Sequence, residues 1–212
     1  NNSLPYAIVV QKDVFSKYTT KNDDSVNYEL LREDAIKTIV KNLDDKDIVI
    51  STTGVASREL FEYREETNKD HKKDFLTVGG MGHANQIALG IALQKPSRKV
   101  FCLDGDGAAL MHMGSIAVNG NVNCNNFRHI LLNPGAHDSV GGQSTYAKDI
   151  NFEKLSKSLG FKKFYSIRNS KNLKKNITKF LSGNSLNFLE IKVSNSKIKK
   201  LPRPKNLIKI KK

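Results

Sequence analysis

Residues 99–143 read KVFCLDGDGAALMHMGSIAVNGNVNCNNFRHILLNPGAHDSVGGQ. A hydrophobic run, Val100 to Leu103, stops at two Asp-Gly pairs, and a helix-compatible segment, Ala108 to Val118, follows. That order spells a strand, a tight turn and a helix start. At such a turn glycine lets backbone amides approach an anion, the helix N-terminus favours negative charge, and a neighbouring carboxylate can hold a divalent cation. A second apolar run, Ile130 to Leu132, ends at Asn133 and opens into a Gly-rich loop that can face the first turn. Two adjacent strand ends thus offer Asp106 and Asn133 to one metal and their loops to one diphosphate.

Outward from this stretch, the same alternation repeats. On the N-terminal side, Leu30–Leu43 places Leu31, Ala35, Ile36, Ile39, Val40 and Leu43 at helical spacing, the pattern of an amphipathic helix packed on the domain. Asp47–Ser51 reads as the first sheet strand, ending at Thr52-Thr53-Gly54, with a charged helix over Ser57–Thr67. Taken alone, this turn is simply a helix N-terminus. Phe75–Val78 is the next strand, closed by Gly79-Gly80-Met81-Gly82, and His83–Gln94 is a helix of small apolar residues that Pro96 ends. Beyond Asn133, the spacing predicts a long loop over Pro134–Lys148, a helix over Asn151–Leu159, a strand over Phe164–Ile167, a helix over Asn172–Leu181 and a last strand over Leu186–Val193. Strands alternating with helices define an α/β fold, a doubly wound, mostly parallel sheet flanked by helices.

The expected division is a linker over 1–27, the folded domain over 28–193 and a basic tail over 194–212. Pro5–Val10 (PYAIVV) is strand-like, and the tail, with Pro202-Arg203-Pro204, is expected to be extended and partly disordered. No apolar run approaches the roughly 20 residues a membrane helix needs, and no signal-peptide pattern is present, so the expectation is a cytoplasmic protein without a membrane partner. Cys102, in an apolar strand, and Cys124, in a loop, form neither a metal spacing nor a disulfide framework. The net charge of +14 invites a nucleic-acid reading. The lysines are spread over helix faces, apart from a concentration in Lys197–Lys212, and no nucleic-acid-binding motif accompanies them, so a solvated Lys-rich surface is the reading taken.

GGMGHANQIALGIALQKPSRKVFCLDGDGAALMHMGS together with LLNPGAHDSVGGQ resembles the cofactor-binding (pyrophosphate, PP) domain of thiamine diphosphate-dependent 2-oxo acid decarboxylases, and most closely the phosphonopyruvate decarboxylase family. The resemblance runs from about Pro5 to about Leu189. It implies thiamine diphosphate and Mg²⁺ as cofactors, with Asp106 as a metal ligand and the amides of Gly107 and Ala108, beside Gly105, meeting phosphate oxygens. It also places Thr53, Gly54 and Val55 near the diphosphate arm, and Gly79 and Gly80 against the aminopyrimidine. Met81, otherwise an ordinary apolar filler, becomes the wedge beneath the cofactor. Ala136 and Ser139 join the cofactor contacts. His137 with Asp138, and His112 on the following helix, are the candidate proton-handling groups; without the resemblance, His137 would be read as a solvated loop residue.

One departure stands out. The family reads Asn-Asn-Gly where this chain has Asn133-Pro134-Gly135, and proline has no side-chain oxygen. Either Asn133 takes over through a small backbone shift, a water fills the position, or the site is weakened; Asn133 and the Ala136 carbonyl are the assignment made. Such enzymes also need a Glu from a separate pyrimidine-binding (PYR) domain, absent from this sequence. The chain is therefore expected to require a PYR half, fused or separate, within a homo- or hetero-oligomer. The implied reaction converts 3-phosphonopyruvate, a small anionic 2-oxo acid, to phosphonoacetaldehyde and CO₂. The alternatives are the PP subunit of a sulfopyruvate decarboxylase and a non-catalytic cofactor-binding subunit with a degenerate metal site.

Overall fold

In the computed structural model, which describes residues 5–12, 14–16, 27–194 and 201, helix α1 (Arg32–Lys41) leads into β1 (Ile48–Ser51), α2 (Val55–Glu66), β2 (Asp74–Leu76), α3 (Ala84–Gln94) and β3 (Val100–Gly105). The chain continues through α4 (Asp106–Met111), α5 (Gly114–Val122), β4 (Phe127–Asn133) and the two-residue strands β5 (Ala136–His137) and β6 (Gln143–Ser144). It closes with α6 (Phe152–Ser158), β7 (Lys163–Ile167), α7 (Leu173–Ser182) and β8 (Asn187–Lys192). Six strands form one parallel sheet in the order β2-β1-β3-β4-β8-β7.

Strands β4 and β8 are buried throughout, as the near-continuous apolar runs of a parallel sheet covered on both faces require. Successive side chains alternate between faces. Phe101, Leu103, Ile130, Leu132, Leu189 and Ile191 pack with α1, α2 and α7 on one side. Val100, Cys102, Leu131 and Phe188 pack with α3, α5 and α6 on the other. From β1 the chain steps outward to β2 and then returns to place β3 on the opposite side of β1. The carboxyl ends of β1 and β3 therefore flank a topological switch point, where doubly wound sheets open a ligand crevice.

Three expectations change. The helix after the central turn is two helices, because the chain leaves helical geometry at His112 (φ −131°, ψ 46°). The backbone of Gly82 crosses this helix closely enough that a Cβ there would lie 2.8 Å from the Ala108 carbonyl oxygen and 2.6 Å from His112 Cδ2. The loop over Pro134–Lys148 carries a small antiparallel hairpin, β5 with β6, closed by Gly142 N–H to His137 O (3.0 Å) and Thr145 N–H to Gly135 O (2.8 Å). Pro5–Val10 forms no strand and is exposed, having no neighbouring strand among the described residues. Most of the tail, including Pro202–Pro204, lies outside the described residues.

Candidate active site

The crevice at the switch point is built by three loops. The β1–α2 turn contributes Thr52, Thr53 and Val55, the β3–α4 turn contributes Gly105 to Ala108, and the segment after β4 contributes Pro134 and Ala136 to Ser139. Gly54, at φ +117°, makes the first turn possible. Ser57 Oγ caps that turn by donating to the Thr52 carbonyl at 2.6 Å. Met81 and Arg32 complete the walls.

Asp106 is almost fully buried, at 2% exposure. Burial raises its carboxyl above the ordinary 3.8; the Thr145 hydroxyl, the Gly107 N–H and His137 pull it back, and the Asp138 charge pushes it further up. Thr145 Oγ1 donates to Asp106 Oδ2 at 2.5 Å. A desolvated carboxylate near a second one is a favourable place for a divalent cation. Among the described residues no three His, Cys, Asp or Glu side chains converge as a metal cage. A cation at Asp106 would thus draw its remaining oxygens from main chain, water and ligand, the usual manner of Mg²⁺.

The hairpin loop lies directly over both turns. A Cβ on Gly107 would meet His137 Nδ1 and Cε1 at 2.3 Å, so the imidazole rests on that glycine, and Ser139 sits 3.5 Å from the equivalent position of Gly54. Asp138, between them, points the other way and accepts a hydrogen bond from Arg32 Nη1 at 2.5 Å. The cavity left beneath is about 60 Å³, room for about two waters, whereas small-molecule sites usually occupy roughly 300–1,000 Å³. The donor chemistry fits a metal-bound diphosphate.

Of the residues singled out in the sequence, Thr53, Val55, Met81, Gly105, Asp106, Gly107, Ala108, Ala136, His137, Asp138 and Ser139 line this one crevice, with Gly54 under Ser139. Gly79 and Gly80 are exposed and do not line it. His112 stacks obliquely on His83, ring centroids 4.2 Å apart, and does not line the crevice. Asn133 is turned away. Its Nδ2 donates to Glu190 Oε1 (2.7 Å), which also pairs with Lys192 Nζ (2.8 Å), and its Oδ1 accepts the Gly135 N–H (3.2 Å). Asn133 is the last residue of β4, paired in register with Lys192 of β8, and that pairing commits its side chain to Glu190. Pro134 occupies the crevice wall instead.

Four contributors had not been singled out. Thr145 bonds Asp106; its position in a polar loop carries no sequence signal. Asp104 and His129 lie wholly buried behind the turn, with Oδ2 and Nε2 3.3 Å apart, and the signal was a charged and a polar residue inside apolar strand runs. Arg32 is the fourth, and the apolar spacing of α1 contained it.

A doubly wound α/β domain that gathers two glycine-bearing turns and a buried carboxylate at its switch point belongs to the class that binds phosphorylated cofactors at strand tips. Residues 52–191 match the family described as thiamine pyrophosphate enzyme, C-terminal TPP binding domain, and the chain belongs to that family. It is 38% identical over 130 residues to the sulfopyruvate decarboxylase subunit beta of Methanocaldococcus jannaschii, covering 61% of this chain and 66% of that one. It is 32% identical over 171 residues to the phosphonopyruvate decarboxylase of Streptomyces viridochromogenes, covering 81% of this chain and 42% of that one. The chain thus spans less than two thirds of either relative. A solved structure described as a thiamin diphosphate-dependent enzyme from Mycobacterium smegmatis shares the fold, with a TM-score of 0.63 at 15% identity over 82% of this chain and 34% of the other.

Proposed function

We propose that this chain is the thiamine diphosphate- and Mg²⁺-binding half of a carboxy-lyase that converts 3-phosphonopyruvate to phosphonoacetaldehyde and CO₂. The observation that carries the reading is the convergence of the β1–α2 and β3–α4 turns on the buried, metal-ready carboxylate of Asp106. When bound, thiamine diphosphate supplies the carbon nucleophile and electron sink that let a 2-oxo acid lose CO₂. Asp106 would hold Mg²⁺, with the Ala136 carbonyl and phosphate oxygens completing its shell. The Gly107 and Ala108 amides, with Thr53 and Val55, would bind the diphosphate, and Met81 would pack under the ring system. His137 is placed to hold or move a proton at its imidazole nitrogens.

A partner chain is part of the proposal. Residues 75–94 and 107–126 contain no Lys, Arg, Asp or Glu, although charged residues make up 26% of the sequence. The α3–α5 side of the sheet leaves Leu93, Val118 and Val122 exposed, as are Met111 and Met113 at the α4–α5 junction, a surface that suits burial against a PYR-domain half. The second reading, sulfopyruvate as substrate, is favoured by the 38% identity to a sulfopyruvate decarboxylase beta subunit. The two substrates differ only in the terminal anion. The deciding experiment combines the chain with its PYR half and follows CO₂ release from each acid, with and without thiamine diphosphate and Mg²⁺. Faster turnover of phosphonopyruvate is expected; preference for sulfopyruvate selects the second reading, and no cofactor-dependent release from either refutes both.

A further inference from the structure

We infer that Arg32, outside the 52–191 span that defines the family match, is a positioning residue of the crevice: one buried guanidinium fixes both of its rims. Nε and Nη2 grip the Glu59 carboxylate on α2 at 2.9 and 3.1 Å, while Nη1 reaches Asp138 Oδ2 at 2.5 Å. The side chains of Arg32, Glu59 and Asp138 are 6%, 2% and 14% exposed. A planar guanidinium with donors in a fixed fork can satisfy two carboxylates on different elements at once, which a lysine ammonium on its flexible stem cannot do with the same geometry. Burial works against the charged guanidinium, and the two carboxylates more than offset it.

The base on which Arg32 stands is rigid. Its N–H donates to the Ser194 carbonyl (3.1 Å), and Ser194 N–H donates to Leu30 O (2.7 Å), tying the start of α1 to the end of the sheet. Ala35, Ile36, Ile39 and Val40 bury the rest of the helix. One end of the ion-pair bridge is α2, whose N-terminus is entered through the Thr53–Val55 rim. The other is the 136–139 segment, in which Asp138 points to Arg32 while His137 rests over Gly107 and Ser139 over Gly54. Because these three residues are consecutive, the Asp138 contact sets where His137 stands relative to the β3–α4 turn.

The inference rests on the proposed reading of the crevice, but its test does not need cofactor or turnover. Hydrogen exchange of the full chain is followed at Gly142 and Thr145, whose amides bond His137 O and Gly135 O within the hairpin. Asp138→Asn, which leaves the Glu59 pair intact, is expected to speed exchange at both amides by about tenfold or more while β8 amides keep their rates. Arg32→Lys should do the same, and the double variant should add little to either single change. If Asp138→Asn leaves both amides unchanged, or if only Arg32→Lys affects them, Arg32 merely ties α1 to α2 and the inference falls. Failure of cofactor binding would count against the proposed function and leave this result standing.

Discussion

Replacing Gly107 with alanine tests the packing of the loop over the central turn. The new Cβ would stand 2.3 Å from two atoms of the His137 ring. To restore ordinary contact at 3.4 Å, the imidazole must retreat by about 1.1 Å. If the loop shifts as a unit by that much, the Arg32–Asp138 contact, now 2.5 Å, loses its hydrogen-bond geometry. Losing a charge-assisted bond of this kind costs about 1.5–3 kcal/mol. Alanine in place of glycine in a helix returns about 1 kcal/mol. The net expectation is a loss of about 0.5–2 kcal/mol, or a fall in Tm of about 1–8 °C for a chain of this size. Calorimetry or urea unfolding of the two proteins reads it directly. A midpoint equal to or above that of the parent would mean that the imidazole turns aside without moving the loop, and the coupling of the Gly107 contact to the Arg32–Asp138 pair would be refuted.

A harsher steric test lies away from the site: Gly120 on α5 meets the end of α6 so closely that a Cβ would lie 1.7 Å from the Leu159 carbonyl oxygen. Gly120→Ala must separate two backbone segments, so a loss of about 3 kcal/mol or more is expected, and an unchanged urea midpoint would contradict it. Asp106 gives a pH dependence. Its folded pKa is raised above 3.8, so the native state keeps this proton longer than the unfolded chain, and the stabilisation from the protonated form, complete below about 4, is lost as pH rises through the raised value. Asp106→Asn should flatten that part of the stability curve without cofactor and abolish Mg²⁺-dependent thiamine diphosphate binding; an unchanged slope would contradict the burial argument. Pro134→Asn places a side-chain oxygen in the crevice wall and should tighten Mn²⁺ or Mg²⁺ binding by about tenfold, ~1.4 kcal/mol. Equal affinity in titrations of the two proteins would mean that the residue at this position does not face the metal.

The strand and helix order was legible because each sheet strand is a short apolar run bounded by turn residues and each flanking helix carries its own apolar stripe. The break at His112 was not, since it accompanies the crossing of Gly82 over α4, a contact distant in sequence. For Asn133 the residue type suggested a ligand, whereas its pairing with β8 delivers the side chain to Glu190, and nothing local to β4 encodes that partner. Arg32 and Glu59 were readable in principle. Arg32 falls in phase with Ala35, Ile36, Ile39 and Val40, and Glu59 in phase with Ala56, Leu60 and Tyr63. Opposite charges, each inside an apolar stripe of neighbouring helices, have to find one another or remain buried unpaired. The strand-like text of Pro5–Val10 shows the converse, because β-propensity without a neighbour to pair with makes no strand.

The most direct measurement is the anomalous signal of Mn²⁺ in crystals of the chain assembled with its PYR half and soaked with thiamine diphosphate. The expected result is a single peak about 2 Å from an Asp106 carboxylate oxygen, with the diphosphate on the Gly107 and Ala108 amides. A peak bound elsewhere, for instance beside Glu190 in the larger groove near Lys148 and Arg168, with the β1–α2 and β3–α4 turns still covered by the loop, would contradict the account.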